Sequence, residues 1–225
     1  MSEIRLLNID CMEYLATCKD KQFDIAIVDS PYFSDYGKEI YPGAKISTTG
    51  IKRNRFHSKH WMIPGRRYFD ELYRASTDQI IWGINYYAKY SRNVGRIVWD
   101  KKNDKSSFSQ CEIAMKSFGI SVDIFRFMWN GMLQENMKDK EVRVHPTQKP
   151  VALYRWILKN YVKHGQSILD THGGSMSLAI AVHEANTVEK MDLSLVICEL
   201  DKDYYDAAVK RYNNHISQQK INFPE

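Results

Sequence analysis

The sequence predicts an α/β fold in which a mostly parallel, seven-stranded sheet carries helices on both faces. Short apolar runs alternate along the chain with helical patterns, and this alternation is typical of parallel strands joined by crossover helices. Several of the apolar runs end in polar residues or glycines. Because ligands of such sheets bind at the carboxyl ends of the strands, these ends are where a functional site is expected.

The predicted elements follow one another without an internal repeat, a low-complexity tract or a linker-like break. The strands are predicted from the apolar runs IRLLNI, DIAIVD, QIIWGI, RIVWD, VDIFRF, SILD and LSLVICE. The helices are predicted from the segments CMEYLATC, YFDELYRAS, CEIAMKSF, ALYRWILKNYV, LAIAVHEA and YYDAAVKRYNNHI. A chain of 225 residues is long enough for one sizeable core, so we predict a single domain over residues 1–225.

The composition is that of an ordinary globular protein, with 44% hydrophobic and 26% charged residues. No apolar stretch approaches the roughly 20 residues that a membrane span requires. The N-terminal segment carries Glu3 and leads directly into a strand pattern, which is unlike a signal peptide. We therefore expect a soluble, cytoplasmic protein without membrane contact. The four cysteines form no CxxC pair, which disfavours a metal site and a disulfide framework.

Basic residues are concentrated in one long loop at about residues 37–67. The net charge of +5 is only mild evidence for an anionic partner, but in this loop lysines and arginines are interleaved with aromatic residues. Basic and aromatic side chains suit phosphates and unstacked bases. The residues predicted to contact DNA are Lys52, Arg53, Arg55, Lys59, Arg66 and Arg67.

The tetrapeptide Asp29-Ser30-Pro31-Tyr32 ends the second apolar run and combines a carboxylate, a backbone carbonyl and an aromatic ring. The amine of a purine or pyrimidine is a poor nucleophile because its lone pair is delocalised into the ring. Two acceptors can polarise its hydrogens while the tyrosine stacks on the ring. A structural proline turn at the end of a strand would look the same, so the tetrapeptide needs supporting context.

Two further strand ends supply that context. The sequence DTHGGSMS follows the run SILD, and its two glycines would let the backbone approach a ligand closely at the start of a helix. Glu199 closes the last strand run, where an acid commonly binds ribose hydroxyls, and Asp201 can cap the next helix. Taken alone, each of these features is also compatible with a purely structural turn or cap.

Together with the octet VHPTQKPV at 144–151, these motifs resemble the amino-group DNA methyltransferases of the permuted β type. The resemblance spans nearly the whole chain, with the target-amine motif ahead of the cofactor motif. It implies a Rossmann-like methyltransferase fold, S-adenosylmethionine as the cofactor, and methylation of an exocyclic amine of adenine or cytosine. It also implies double-stranded DNA as the partner, with the target base flipped out of the helix.

The resemblance also assigns roles to individual residues. Asp29 would accept a hydrogen bond from the target amine, Ser30 would supply the second acceptor through its carbonyl, Pro31 would shape the turn and Tyr32 would stack on the base. The residues implied to bind the cofactor are Asp10, Cys11, Thr147, Lys149, Asp170, His172, Gly173, Gly174, Ser175, Glu199 and Leu200, with Asn85 a weaker candidate. No metal and no covalent enzyme intermediate are required.

The sequence departs from the family pattern at three points. Ser30 stands where a second proline is usual, His172 where an aromatic residue is common, and Met176 where a further glycine is common. In addition, the segment between Trp129 and His145 is too short for a separate target-recognition domain. Sequence specificity would then come from the basic loop or a second subunit, which makes a homodimer attractive, or it would be low.

Several functions remain open from the sequence. Adenine is preferred as the target because family members whose tetrapeptide begins with aspartate more often act on adenine. The alternatives are cytosine N-4 methylation of DNA, adenine methylation of RNA, and a non-catalytic nucleic-acid-binding subunit. A small-molecule methyltransferase is disfavoured by the tetrapeptide and the basic loop together.

Overall fold

An eight-stranded sheet forms the centre of the computed structural model, which describes residues 2–32, 35–36, 59–92, 94–104, 109–130 and 133–222. In chain order the elements are β1 (Ile4–Leu7), α1 (Cys11–Thr17), β2 (Phe23–Val28), β3 (Asp35–Tyr36), β4 (Lys59–His60), α2 (Arg66–Ala75), β5 (Ser76–Trp82), β6 (Arg96–Asp100), β7 (Cys111–Lys116), β8 (Val122–Arg126), β9 (Trp129–Asn130), β10 (Leu133–Gln134), α3 (Val151–Tyr161), β11 (Ser167–Asp170), α4 (Ser177–Val188), β12 (Ser194–Cys198) and α5 (Lys202–Asn222). A short 3-10 helix covers Ala88–Tyr90.

The order of strands in the sheet is β1-β12-β11-β2-β5-β7-β6-β8. Neighbouring strands are parallel except where β7 pairs with β5 and β6, so the predicted mostly parallel sheet is confirmed. From β2 the chain continues through α2 to β5 on one side, and from β11 through α4 to β12 on the other. The strand order therefore reverses between β2 and β11, and a crevice opens between their carboxyl ends.

The prediction of a helix over CEIAMKSF was wrong, because residues 111–116 form β7 and raise the strand count from seven to eight. Ala114 packs into the core on one face of the sheet, whereas Ile113 and Met115 pack on the other face. The apolar stretch of β7 is only the three residues 113–115, and these pack on both faces, so the segment lacks a two-residue alternation that would distinguish it from a helix. The segment forms a strand because it pairs with both β5 and β6.

The core consists of two apolar layers, one on each face of the sheet. Ile25 and Ile27 of β2 point into the layer that includes α3 and α4, whereas Ala26 and Val28 point into the layer that includes α1 and α2. This alternation along one strand is the expected two-residue period. Burial of both faces removes the central strands from water and fixes the positions of their ends.

Among the described residues, no helix is long and apolar enough to cross a membrane. Within the same residues, no cluster of metal-ligating side chains is found. All four cysteines are free thiols.

Candidate active site

A cavity of about 960 Å³ lies beside the carboxyl ends of β2, β11 and β12. Its volume is in the range of sites that hold a cofactor or a drug-sized ligand. Most of the residues predicted to form the site line this cavity together: Asp10, Cys11, Asp29, Ser30, Pro31, Tyr32, Thr147, Lys149, His172, Gly173, Gly174, Ser175, Glu199 and Leu200. The tertiary structure thus gathers segments that are up to 190 positions apart in the sequence around one space.

Asp29 directly follows β2 and presents its two carboxylate oxygens to different surroundings. Oδ2 accepts a hydrogen bond from Nζ of Lys149 at 2.5 Å. Oδ1 is buried and has no hydrogen-bond partner among the described residues. A buried acceptor without a donor is costly in a folded protein and calls for an explanation. Since Asp29 lines the cavity, a donor on a bound molecule would satisfy this oxygen.

Lys149 joins Asp29 to two further charges. Its ammonium lies 2.8 Å from Oε2 of Glu112 on β7, and Oε1 of Glu112 lies 2.6 Å from Nζ of Lys101. Burial alone would lower the pKa of Lys149, but the carboxylates of Asp29 and Glu112 outweigh it and raise the pKa. Lys149 is therefore a permanent cation in a site from which water is largely excluded, its side chain being 3% exposed.

The two carboxylates that share Lys149 differ in their acidity. Burial raises the pKa of Asp29 even though the ammonium of Lys149 opposes this effect. Burial also disfavours ionisation of Glu112, but Lys149 and Lys101 together hold its pKa at about 2. Glu112 touches two cations whereas Asp29 touches one, which accounts for the difference.

Aromatic side chains hold the turn that follows Asp29. The ring of Tyr32 stacks on Tyr86 with the centroids 4.4 Å apart and the planes 6° from parallel. A Cβ atom at Gly83 would come within 2.6 Å of the Tyr32 ring, so the absence of a side chain there makes room for it. The hydroxyl of Tyr87 donates to the carbonyl of Pro31. Tyr32 is thereby fixed at the wall of the cavity.

A line of hydroxyl groups connects the ends of β2 and β11. The hydroxyl of Ser30 donates to that of Tyr68 at 3.0 Å, and the Tyr68 oxygen lies 2.6 Å from Oγ1 of Thr171. Oγ1 of Thr171 lies 2.9 Å from Nδ1 of His172. Burial lowers the pKa of His172 to about 4, so its imidazole is neutral near pH 7. A serine in place of the usual proline thus adds a polar link across the site.

The glycine turn after β11 and Glu199 after β12 are tied together. The backbone N–H of Gly174 donates to Oε2 of Glu199 at 2.8 Å, and that of Asp201 donates to Oε1 at 2.9 Å. A Cβ atom at Gly173 would come within 2.4 Å of Ile197, so the turn can lie this close to β12 only with glycine there. These bonds fix the Glu199 carboxylate at the cavity wall. The predicted cap is also observed, since Oδ1 of Asp201 accepts from the N–H of Tyr204 at 3.0 Å.

Asp170 lies behind this turn and is not among the residues that line the cavity. Its Oδ1 accepts a hydrogen bond from the backbone N–H of His172 at 3.0 Å. Burial, reinforced by the negative charges of Asp29 and Glu199, raises the pKa of Asp170 to about 7. The geometry indicates that Asp170 orients the turn rather than contacting a ligand in the cavity directly.

Met176 occupies a position whose backbone conformation favours glycine. Its φ is +58°, in the left-handed region, and its side chain is fully buried at the start of α4. For a residue with a side chain this conformation costs about 1–2 kcal/mol. The family commonly has glycine at this position. Burial of the methionine side chain therefore offsets the strain of its backbone conformation.

Replacing Met176 is expected to separate the stabilisation that its side-chain packing provides from the strain of its left-handed backbone. Met176→Ala should lose the packing and keep the strained backbone, for a loss of about 2–5 kcal/mol of unfolding free energy. Met176→Gly should lose the same packing but relieve the strain, and should be more stable than the alanine variant by about 1 kcal/mol. Urea unfolding of the three proteins checks this order, and an alanine variant as stable as the glycine variant would contradict it.

Asp10 caps α1, because its Oδ1 accepts from the backbone N–H of Met12 at 2.7 Å. Next to it, burial and the charge of Asp10 raise the pKa of Cys11 to about 12, so this residue remains a thiol. Both residues face the cavity, as does Leu200. Asn85 is exposed on the turn after β5 and is not among the lining residues.

The segment HPTQKP contributes a wall of the cavity as well as Lys149. His145 lies against Gly174, and its Nδ1 is 3.1 Å from Oγ1 of Thr147. The ring of His145 also stacks on Trp61, with the centroids 5.5 Å apart. Pro150 stands at the N-cap of α3, which begins at Val151.

Of the six residues predicted to contact DNA, the side chains of Arg66 and Arg67 are described. Lys52, Arg53 and Arg55 lie outside the described residues, and for Lys59 only the backbone, in β4, is described. Arg66 is exposed in the first turn of α2 and forms an ion pair with Asp70 at 3.4 Å. Arg67 lines the cavity.

Sequence reasoning missed several residues of the site. Glu112 and Lys101 were not considered, because the first was assigned to a helix and the second follows a strand without any motif. Tyr68 and Tyr154 line the cavity from helices α2 and α3, where a buried tyrosine has no distinguishing sequence signal. A charged residue at each end of an apolar run, as in CEIAMK, is the signal that could have indicated a strand crossing the core.

A protein-family model described as "DNA methylase", for the N6 and N4 amino methylases, matches residues 23–210. The chain belongs to this family. The matched range includes the strand end at Asp29, the HPTQKP segment and Glu199, so the whole cavity except its Asp10 side lies within the family core.

Two curated relatives of the DNA methylase are known as Type II methyltransferases. M2.LlaDCHI of Lactococcus lactis subsp. cremoris is 27% identical, and the match covers 92% of this chain and 88% of the relative. M2.DpnII of Streptococcus pneumoniae is 21% identical over the same shares.

Solved structures confirm the fold. PvuII DNA methyltransferase, described as cytosine-N4-specific, superimposes with a TM-score of 0.60 at 10% identity, covering 98% of this chain and 93% of its own. The M1.HpyAVI–SAM complex gives a TM-score of 0.54 at 18% identity, covering 92% and 99%. The predicted Rossmann-like methyltransferase fold is therefore confirmed.

Proposed function

We propose that this DNA methylase transfers a methyl group from S-adenosylmethionine to the exocyclic N6 amine of adenine in double-stranded DNA. The observation that carries the proposal is the buried Oδ1 of Asp29, an acceptor without a donor at the wall of a cavity that also contains the ring of Tyr32. An amine bound there would supply the missing donor, and a planar base would add to the stack that Tyr32 forms with Tyr86.

The other part of the cavity fits the proposed cofactor. Gly173 and Gly174 leave a surface without side chains, the carboxylate of Glu199 is held at the wall, and Asp10 faces the same space. Carboxylates can accept hydrogen bonds from ribose hydroxyls or an amino group, and a glycine turn allows close approach of a ligand. M1.HpyAVI has been solved in complex with SAM on this fold.

The residues of the chain would align and polarise the reactants. Asp29 would accept one hydrogen of the target amine and draw electron density toward the nitrogen, while Tyr32 would fix the plane of the base. When bound, S-adenosylmethionine supplies a methyl group that passes to the nitrogen as the sulfur–carbon bond breaks with its electron pair kept by sulfur, and the nitrogen then loses a proton to solvent. Asp29 would also stabilise the positive charge that develops on the nitrogen.

Adenine is proposed over cytosine because the tetrapeptide begins with aspartate, and family members with aspartate at this position more often act on adenine. The basic residues at 37–67, including Arg67 at the cavity, are proposed to contact the phosphates and the flipped base. The names of the two relatives favour a role in a bacterial restriction–modification system, and hence a cytoplasmic protein.

Transfer of labelled methyl from S-adenosylmethionine to unmethylated duplex DNA tests the proposal. Digestion to nucleosides and mass analysis should yield N6-methyladenine. N4-methylcytosine as the product would replace adenine by cytosine as the target, and methylation of RNA in preference to duplex DNA would overturn DNA as the substrate. Absence of cofactor binding in calorimetry would favour a non-catalytic subunit. Methylome sequencing in a methylation-free host would then give the recognition sequence.

A further inference from the structure

We infer that Glu112 is a positioning residue that draws the Lys149 ammonium to the Oδ2 side of Asp29, so that the buried Oδ1 receives no donor from the described residues and is left for the target amine. The inference rests on the proposed function and adds to it two residues, Glu112 and Lys101, that carry no motif. Neither residue contacts the substrate in this scheme, because neither lines the cavity.

The geometry shows how one cation is shared. Nζ of Lys149 lies 2.5 Å from Oδ2 of Asp29, to which it donates a hydrogen bond, and 2.8 Å from Oε2 of Glu112, with which it forms an ion pair without a well-aligned hydrogen bond. A lysine ammonium that faced Asp29 alone would be free to lie between Oδ1 and Oδ2. Oδ1 would then already be occupied by a donor when the base arrived. Glu112 prevents this by holding the ammonium away from Oδ1.

Lys101 forms a second ion pair with Glu112, through the carboxylate oxygen that does not face Lys149. Its ammonium lies 2.6 Å from Oε1 of Glu112, which extends the line of charges to Asp29, Lys149, Glu112 and Lys101, with Lys149 the most buried of the four. The four charges alternate in sign and sum to zero. This cancellation lets Asp29 remain ionised beside a cation without a net positive charge that would oppose methyl transfer to nitrogen.

The topology of the sheet explains why these residues meet. Because β7 is antiparallel to β5 and β6, its first residues lie at the same edge of the sheet as the last residues of β2 and β6. Glu112 therefore faces the site from the beginning of a strand, and Lys101 faces it from just beyond the end of β6.

Two substitutions are expected to move the acid limb of the pH–rate profile in opposite directions. The negative charge of Glu112 raises the pKa of Asp29 and the positive charge of Lys101 lowers it. Because Asp29 must be ionised, Glu112→Gln should shift the acid limb to lower pH and Lys101→Met should shift it to higher pH, each by at least about 0.5 unit. At its plateau the Glu112→Gln rate should also fall about ten-fold, because Oδ1 becomes occupied.

Three other titratable groups face Asp29: Asp170 at the end of β11, Tyr87 in the turn after β5 and Tyr154 on α3. They are the same in every variant, so their effects on the pKa of Asp29 cancel when variants are compared. The matched control is Asp123→Asn, which breaks a second ion pair of β7, between Lys116 and Asp123, away from the cavity. It should leave the acid limb unchanged.

The experiment measures single-turnover methyl transfer to duplex DNA from pH 5 to 8, together with the carbon-13 NMR titration of the Asp29 carboxyl in the protein without DNA. Opposite shifts in both readouts support the inference. Shifts of the same sign, or no shift, overturn it. If the wild type transfers no methyl group, the proposed function fails, whereas the NMR titration still decides whether Glu112 and Lys101 act on Asp29.

Discussion

Replacing Asp29 by Asn is expected to lower the single-turnover rate of methyl transfer by at least about 100-fold, the scale observed when a preorganised polar group is removed from a reacting centre. Asparagine keeps the size of the side chain and an oxygen acceptor but loses the negative charge. The variant would therefore polarise the amine weakly and would no longer balance the ammonium of Lys149, which lies 2.5 Å from the carboxylate.

The matched control for this substitution lies on the same strand. Asp24 of β2 accepts hydrogen bonds from the backbone N–H and the hydroxyl of Ser167, both at 2.7 Å, at the opposite end of the strand from the cavity. Asp24→Asn should keep the wild-type rate. Rates are compared in single turnovers, since slow product release could hide a defect in the chemical step. An Asp29→Asn protein that binds cofactor and DNA and still transfers methyl within a few-fold of wild type would remove Asp29 from the catalytic role.

Replacing Lys149 by Met is expected to destabilise the protein by about 3–5 kcal/mol at neutral pH, because it leaves two buried carboxylates without their shared cation. Burial already raises the pKa of Asp29, and it opposes ionisation of Glu112. Without Lys149 the folded-state pKa of Asp29 would lie further above its unfolded value, whereas Glu112 would keep its ion pair with Lys101. The protonated form of Asp29 in the folded protein would then be favoured, so the loss of stability should grow as pH rises above about 4 and shrink below it.

A double variant separates lost charge pairing from lost packing. Adding Glu112→Gln to Lys149→Met removes the negative charge that disfavours ionisation of the unpaired Asp29, and should recover part of the unfolding free energy at pH 7. Urea unfolding at pH 4.5 and pH 7.5 measures both effects. A Lys149→Met variant with the same loss of stability at the two pH values, and no recovery in the double variant, would show that packing and not charge accounts for the effect.

The sequence predicted a large part of this site because its motifs lie at strand ends. Asp29, the glycines at 173–174 and Glu199 each follow a run that alternates with helical segments, and a parallel sheet places such ends on one edge. The HPTQKP segment was recognised only through its resemblance to a family. The positions of Asp10 and Cys11 at the cavity were likewise implied by that resemblance and not by any local pattern.

The wrong helix over CEIAMK and the missed role of Glu112 have the same cause, which is that β7 packs on both faces of the sheet. The helix predicted over CEIAMK is a strand, and the prediction was wrong because a short strand in the centre of a sheet lacks the alternation of a half-buried one. That single error concealed Glu112, since a residue of a surface helix would not be expected beside Asp29. The left-handed backbone of Met176 could not be read from the residue type either, because methionine rarely adopts it.

By itself, the sequence determined the fold class, the family and the edge of the sheet where the site lies, since hydrophobic periodicity and motif order are local properties of the chain. Only the tertiary structure decided that β7 runs antiparallel through the sheet and brings Glu112 and Lys101 to Lys149. Strand direction and pairing depend on contacts between distant segments, and no local pattern encodes them. The charge environment of Asp29, whose buried Oδ1 has no donor among the described residues, is a consequence of that pairing.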